Sequence, residues 1–448
     1  MNMPYPPMQN INPLKALQQE YAILELNGKF GLVRMSDLDW AKGMTAAPSL
    51  YIYYSGDAKI ALKRSLENIA SADKVNDTIN DFWNSPYTRV FKRLAFSPVE
   101  QPPEVLNLWI GYTITPRKGN WITIKNYLLY GICNGDAKAY KYLICYLAHL
   151  FQKPEEKPGI MIVLLGGQGT GKGTLEIILR MMFEATMLMV SDVDSVIGRF
   201  NAVLERTYLV FMDEALFFGD KKSTERLKSY VTSKNVQIEE KHQPERSIES
   251  FHRFFAASNS TTHFAQTDYD DRRMMYFKVS DENKGNTEYW ENLYRAIKVG
   301  EVEALAEYLI NLDISDFVVT ERPQSEELLS QKIQSLQPLQ KYWFDRLWDG
   351  TTSIIEWNDP TFSSWESGYF WATRHILGSF THKFRSNLKF NTTISKDLAE
   401  MLKMVCPSAK YVRRSLNNDR KWGFELPELD VARKEFENYL GGSINWPR

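Results

Sequence analysis

Apolar and polar positions along the chain predict a series of elements before any chemistry is considered. Tyr21 to Met35 (YAILELNGKFGLVRM) alternates apolar and polar residues around Asn27-Gly28, the pattern of a β-hairpin with a tight turn. The region near Leu62 to Trp83 has helical spacing. Ser97 to Val105, with three prolines, reads as a connector. From Trp121 to Gln152 the spacing is again helical, with Tyr130, Cys133, Tyr140, Leu143, Ile144, Leu147 and Leu150 mostly on one side, and Pro154 and Pro158 end it. Ile160 to Leu165 is a continuous apolar run, as expected of a parallel strand buried on both faces. Further strands are expected at Tyr208 to Met212, Phe251 to Ala257 and Met274 to Val279, with an amphipathic helix at Leu175 to Phe183. Beyond Pro323 the chain is Trp-rich and locally basic, with a helix at Lys396 to Val405 and a hairpin across Tyr411 to Leu426. No internal repeat or low-complexity tract is visible.

Length and composition bound the reading. At 448 residues the chain exceeds one ordinary domain, and about three are expected. Hydrophobic residues at 44% and charged residues at 24% suit a chain with buried cores and exclude a mainly disordered protein. No apolar run approaches the roughly 20 residues needed to span a bilayer. The start, with Pro4, Pro6 and Pro7, has neither the basic segment nor the apolar core of a secretory signal. Cys133, Cys145 and Cys406 cannot form a disulfide framework, and no two have metal-ligand spacing. A reduced, cytoplasmic protein without a membrane partner is expected. With 54 basic and 55 acidic side chains the net charge is −1, so any attraction to nucleic acid must come from local basic surfaces.

The Ile160–Leu165 run leads directly into Gly166, Gly167, Gln168, Gly169, Thr170, Gly171, Lys172, Gly173 and Thr174, followed by the helix. Strand, glycine-rich turn and helix in this order are the context of a P-loop. Glycines let the backbone wrap a polyphosphate, and the helix start adds its own N–H groups. Lys172 would neutralise the β and γ phosphates of ATP. Gly173 stands where Ser or Thr usually follows the lysine, which leaves Thr174 as the candidate on the Mg²⁺ side. A glycine-rich loop without ligand is the bland alternative, and the Gly-Lys-Gly-Thr variant also resembles adenylate and related nucleotide kinases.

Downstream residues separate these readings. Tyr208 to Met212 ends in Asp213-Glu214, where Asp213 is placed to hold Mg²⁺ and Glu214 to activate water as a general base. That base suits hydrolysis better than transfer to a nucleotide. Asn259, at the tip of the third strand, can hydrogen-bond the γ phosphate and the attacking water. Arg272 and Arg273, before the fourth strand, can serve as an arginine finger or pair with Asp270 and Asp271.

The ordered pieces GGQGTGKGT, YLVFMDEA, FFAASNS and DDRRMMYFKVS, from Gly166 to about Val279, resemble AAA+ helicases of superfamily 3, especially the helicase part of phage and poxvirus-like primase-helicases. A looser likeness extends to Leu106-Asn107-Leu108-Trp109 and to Leu426-Pro427 with Trp446. The resemblance implies a β-hairpin between the Asp-Glu and Asn strands, with arms at 236–240 and 247–249 and Lys241 and His242 as DNA-gripping tip residues. It also implies a homo-hexamer with sites between subunits, 3′ to 5′ movement, and replication of a phage, satellite or integrated element. Glu239, Glu240 and Glu245 would weaken a phosphate grip at that hairpin.

In the flanks, Thr373 to Gly423 holds eleven Lys/Arg against three Asp/Glu, a net of +8, interleaved with Phe384, Phe390, Tyr411 and Trp422. Cations with aromatics suit a nucleic-acid surface, although charge runs are more often solvated faces. The N-terminal region shows no primase constellation, so a separate primase or polymerase partner is expected. The resulting expectation is an α/β chain: a mixed α+β N-terminal domain over 1–154, an AAA+ P-loop core over 155–322, and a small winged-helix-like C-terminal domain over 323–448. The function expected is an ATP-dependent helicase acting on single-stranded and forked DNA. Its rivals are an AAA+ ATPase that remodels a protein partner and a nucleotide kinase.

Overall fold

A computed structural model describes residues 12–26, 28–38, 51–191, 194–213, 221–239, 245–259, 273–323, 326–334, 336–356, 359–384, 394–416 and 419–447. They fall into two compact units: the described residues up to 259 together with Arg273–Pro323, and the described residues from 326 onward. The first unit therefore runs across residue 154, and the N-terminal elements share it with the central sheet.

The chain opens with α1 (Pro13–Glu20), β1 (Tyr21–Leu26), β2 (Lys29–Arg34), β3 (Ile52–Tyr54), α2 (Ser55–Leu66), α3 (Val75–Asn84) and β4 (Val90–Phe91). β1 and β2 pair antiparallel from Tyr21↔Arg34 to Leu26↔Lys29, as the alternation requires, and Gly28 takes the positive φ of the tight turn. The sheet order is β3-β2-β1-β4. The single helix expected near 62–83 is two helices. Leu62 and Leu66 on α2, and Ile79 and Phe82 on α3, all bury against the same face as Tyr21, Ile23 and Leu32. One straight helix of that length, at 1.5 Å per residue, would carry half of these residues past the short sheet. The proline-rich connector joins the parallel strands β5 (Arg93–Ala95) and β6 (Val105–Asn107).

The helix expected across 121–152 is also broken. It comprises α4 (Ile122–Asn126), a π-helical turn at Tyr127–Ile132, and α5 (Ala137–Gln152). Asn134 and Gly135 have φ of 50° and 81°, which stops the first segment. Asp136 then caps α5, accepting from the Lys138 and Ala139 N–H groups at 2.8 and 3.1 Å. Tyr130, placed by periodicity on the apolar side, is exposed.

The central sheet comes next: β7 (Met161–Leu165), α6 (Lys172–Phe183), β8 (Met187–Val190), α7 (Asp194–Ile197), β9 (Leu209–Met212), α8 (Lys221–Thr232), β10 (Asn235–Ile238), β11 (Arg246–Glu249), β12 (Arg253–Ser258), β13 (Met274–Lys278), α9 (Thr287–Ala296) and α10 (Val302–Asn311). Five strands form an all-parallel sheet in the order β13-β7-β12-β9-β8. β7, β9 and β12 are buried along their whole lengths, and α5, α6, α9 and α10 pack on the face that carries Ile162, Leu164 and Phe255. β10 and β11 form a separate two-stranded hairpin. At the N-terminal end of β12, Arg253 is fully buried and donates to the carbonyls of Phe251, Lys153 and Pro154 at 3.0 to 3.2 Å, with its guanidinium 5.2 Å from the Tyr208 ring centre. It thereby ties the chain leaving α5 to the sheet.

The second unit holds α11 (Glu326–Gln334), α12 (Pro338–Asp349), the hairpin β14 (Thr351–Glu356) and β15 (Asp359–Ser364), β16 (Phe370–Ala372), α13 (Thr373–Phe384), α14 (Ile394–Val405), β17 (Lys410–Leu416), β18 (Asp419–Glu425) and α15 (Leu429–Leu440). β16, β18 and β17 form a three-stranded antiparallel sheet. Its core is built on Trp343, Trp371, Phe380, Leu402, Phe424 and Phe436. Among the described residues, no helix is long and apolar enough to cross a membrane.

Candidate functional site

The glycine-rich turn leaves the C-terminal end of β7 and enters α6 through Gly171, whose φ of 96° is accessible to glycine at low cost. Lys172 is the first residue of α6 and is 7% exposed. Its ammonium donates to the carbonyls of Gly166 at 2.6 Å and Gly167 at 2.8 Å, and to Asn259 Oδ1 at 2.9 Å. A buried ammonium needs such partners, since leaving it unpaired would be costly. Register explains the Asn259 contact: Ser258, the last residue of β12, lies beside Leu165, the last of β7. The Gly166 N–H donates to the Ser258 carbonyl at 3.2 Å, so the two strand tips are joined where Lys172 reaches them.

Asp213 follows β9, one strand further across, and its N–H donates to the Val190 carbonyl at 2.9 Å. It lies close enough to α6 to act on Glu176. Burial chiefly pushes the Glu176 carboxyl upward, Arg180 at 3.1 Å opposes this, and the Asp213 carboxylate adds to the rise. Lys172, Asp213 and Asn259 are thus gathered at the C-terminal edge of the parallel sheet, where open α/β sheets place their ligands.

Thr174 lies in the first turn of α6. It is buried, and its hydroxyl lies 3.2 Å from the Tyr294 hydroxyl of α9. A hydroxyl that donates to a neighbour keeps lone pairs for a cation, so this contact leaves the Thr174 oxygen able to meet a metal. Arg273 stands at the opposite end of the sheet, its carbonyl accepting from the Met161 N–H where β7 begins. The five residues of β7, roughly 16 Å, separate it from this chain's own turn. Glu214, Arg272, Lys241 and His242 lie outside the described residues.

Residues far away in sequence cover the turn. The indole of Trp290, on α9, packs on Gly171, and its N–H donates to the Asn283 carbonyl at 2.9 Å. Tyr127 donates through its hydroxyl to the Gly171 carbonyl at 2.9 Å. Lys284 runs along the turn: a Cβ built on Gly167 would lie 4.0 Å from its Nζ, and one on Gly169 3.9 Å from its Cγ. A second ammonium therefore faces the same backbone as Lys172. Nothing in the run Asp281, Glu282, Asn283 and Lys284 marks it in the sequence, because only the fold brings this segment to the turn.

The basic C-terminal stretch is less positive in space than in sequence. Lys383 pairs with Asp345, and Arg414 with Glu425 at 2.8 Å. Arg385, Lys389 and Phe390 lie outside the described residues.

Comparisons with known proteins add a context. Residues 164–273 match a family of unknown function, DUF5906. Over 296 residues, 62% of this chain, the sequence is 27% identical to a DNA primase-polymerase of Nitratiruptor phage NrS-1, and it spans 38% of that relative's length. Two solved structures of the NrS-1 C-terminal region share the fold. One has a TM-score of 0.64 at 19% identity, with 92% of this chain and 99% of that one covered. The other has a TM-score of 0.65 at 16% identity, covering 94% and 100%.

Proposed function

We propose that this chain is an ATP-dependent motor on single-stranded DNA, a helicase-type AAA+ translocase serving replication of a phage or related mobile element. The observation that carries the reading is the buried Lys172 ammonium. It is held by two turn carbonyls and by Asn259 of the adjacent strand, at the N-terminus of a twelve-residue helix. That donor set fits a polyphosphate: the turn has glycines where the anion must approach, helix N–H groups aim outward, and Lys284 adds a second cation. The order β13-β7-β12-β9-β8, with the Lys172 turn and the Asn259 tip on neighbouring strands, further supports an AAA+ core.

Each residue then has a task. Lys172 exchanges its carbonyl partners for phosphate oxygens, and Asn259 orients the γ phosphate and the water beside it. Glu214 accepts the proton from that water. Asp213 is the carboxylate that would hold magnesium, and the Thr174 hydroxyl would be a second oxygen ligand. Magnesium, when bound, supplies charge neutralisation at the polyphosphate. Arg273, or its neighbour Arg272, serves the next subunit of a homo-hexameric ring, since Arg273 stands at the far end of its own sheet. Lys241 and His242, between β10 and β11 in the sequence, grip the DNA, and movement is 3′ to 5′. The likeness to part of a phage primase-polymerase favours work at a replication fork, beside a primase or polymerase activity.

The test is ATP turnover by the purified chain, with and without single-stranded DNA, at two salt concentrations. The proposal expects strong stimulation that fades with salt. Turnover indifferent to DNA would support action on a protein partner, and stimulation by a nucleoside monophosphate would support a kinase.

A further inference from the structure

The β17–β18 hairpin of the second unit carries a row of flat side chains that leads out of the core into solvent. The pairings Tyr411↔Phe424, Arg413↔Trp422 and Ser415↔Arg420 put these six residues on one face, and Trp371 of β16 joins them opposite Phe424. At the inner end Trp371 and Phe424 are buried in the unit's core. Further out, Tyr411 and Trp422 are each 49% exposed. Tyr411 stacks on Trp422 with ring centres 5.1 Å apart and planes 13° from parallel, and it meets Phe424 at 4.9 Å. The Arg413 guanidinium lies 5.9 Å from the Trp422 ring centre.

Cross-strand aromatic pairs do stabilise hairpins. That need does not require two half-exposed rings to be followed by two arginines. Nor does it account for a face that holds no acidic residue between Tyr411 and Phe424 in the hairpin register. Glu425 falls on the opposite face by alternation, where it pairs with Arg414. A positive, aromatic face free of acids complements a partner with negative charge and exposed flat rings.

We infer that this face of the β17–β18 hairpin is a single-stranded DNA contact: unpaired bases stack on the Tyr411–Trp422 row, and Arg413 and Arg420 hold the neighbouring phosphates. Duplex DNA fits less well, because its bases are already stacked on one another and offer only groove edges. The inference rests on the proposed function only in taking DNA as the partner. It adds a strand-binding surface in a different unit from the proposed ATP site.

The test is fluorescence anisotropy with the full chain and labelled oligo(dT), oligo(rU) and a blunt duplex, at two salt concentrations. The variants are R413E/R420E, Trp422→Ala and the conservative Trp422→Phe, each checked for native circular dichroism. The wild-type chain should prefer oligo(dT) to duplex. R413E/R420E should weaken oligo(dT) binding by about tenfold or more and flatten its salt dependence. Trp422→Ala should cost about tenfold, with most of the affinity restored in Trp422→Phe. ATP turnover without DNA should be unchanged in all three. Wild-type binding of oligo(dT) that every variant retains would overturn the inference and leave the ATP motor standing. Tighter binding of oligo(rU), or of duplex, would overturn the assignment to single-stranded DNA. No DNA binding by the wild-type chain would overturn both the inference and the DNA side of the proposed function.

Discussion

Gly171→Ala isolates the geometry on which the candidate site depends. At φ 96° the residue enters α6 in a left-handed conformation, and holding a non-glycine residue there costs about 1–3 kcal/mol. Steric conflict adds to this. An ideal Cβ at Gly171 would stand 2.3 Å from Trp290 Cη2 and 2.9 Å from Cζ3, both inside contact distance. The indole has little freedom to retreat, since its N–H is bonded to Asn283 and its edge packs on Tyr289 with centroids 4.9 Å apart. Overpacking of this kind costs about 1–3 kcal/mol. A total near 4 kcal/mol follows, with roughly half assigned to each cause. Urea unfolding followed by circular dichroism measures it, and a double-mutant cycle with Trp290→Ala separates the parts. In the Trp290→Ala background Gly171→Ala should cost only the backbone share, about 2 kcal/mol. An equal cost in both backgrounds would refute the claim that Trp290 presses on the turn.

Two further predictions concern Lys284 and His252. Lys284→Ala should raise the KM for ATP by about tenfold with kcat little changed, because the lysine lies along the turn and contributes uniform binding; steady-state kinetics will show whether kcat falls instead. His252 is fully buried, accepts from Ser250 at 2.7 Å and donates to the Leu204 carbonyl at 2.9 Å. Burial, chiefly, with the Lys157 and Arg253 charges, lowers its pKa to about 3. The unfolded chain then binds the proton more readily than the folded one, so stability should fall as pH drops from about 6.5 toward 3, by about 1.4 kcal/mol per pH unit for this group. His149, lowered to about 4 mainly by burial, acts in the same direction over the upper part of that window. Urea midpoints between pH 4.5 and 6.5 should slope more gently in His252→Gln, and an unchanged slope would remove this histidine from the account.

The parts of the site legible in the sequence are those fixed by a few consecutive residues. Buried parallel strands must be continuously apolar, so Ile160 to Leu165 and Tyr208 to Met212 announced themselves, and so did the glycine-rich run to Lys172 after the first and Asp213 at the tip of the second. Asn259 was readable for the same reason, although its bond to Lys172 depends on strand register that periodicity does not carry. Helical spacing misled where it continued across a break: Asn134-Gly135 interrupts a pattern whose apolar positions stay in phase, and α2 and α3 were fused because both bury the same residue types. The cover of Trp290, Lys284 and Tyr127 was illegible, since tertiary packing alone brings residues more than forty positions away onto the turn. Arg253 was likewise hidden inside an apolar strand, its charge used to bind loop carbonyls. Thr174 carries a contact that residue type and spacing do not reveal, its hydroxyl lying 3.2 Å from that of Tyr294.

Unwinding of a forked duplex with a 3′ single-stranded tail, comparing the wild-type chain with Lys172→Ala, tests the central claim most directly. The account predicts strand separation by the wild-type chain with ATP, none with a non-hydrolysable analogue, and none by Lys172→Ala under either condition. Unwinding that persists in Lys172→Ala, or that proceeds with the analogue, would contradict it.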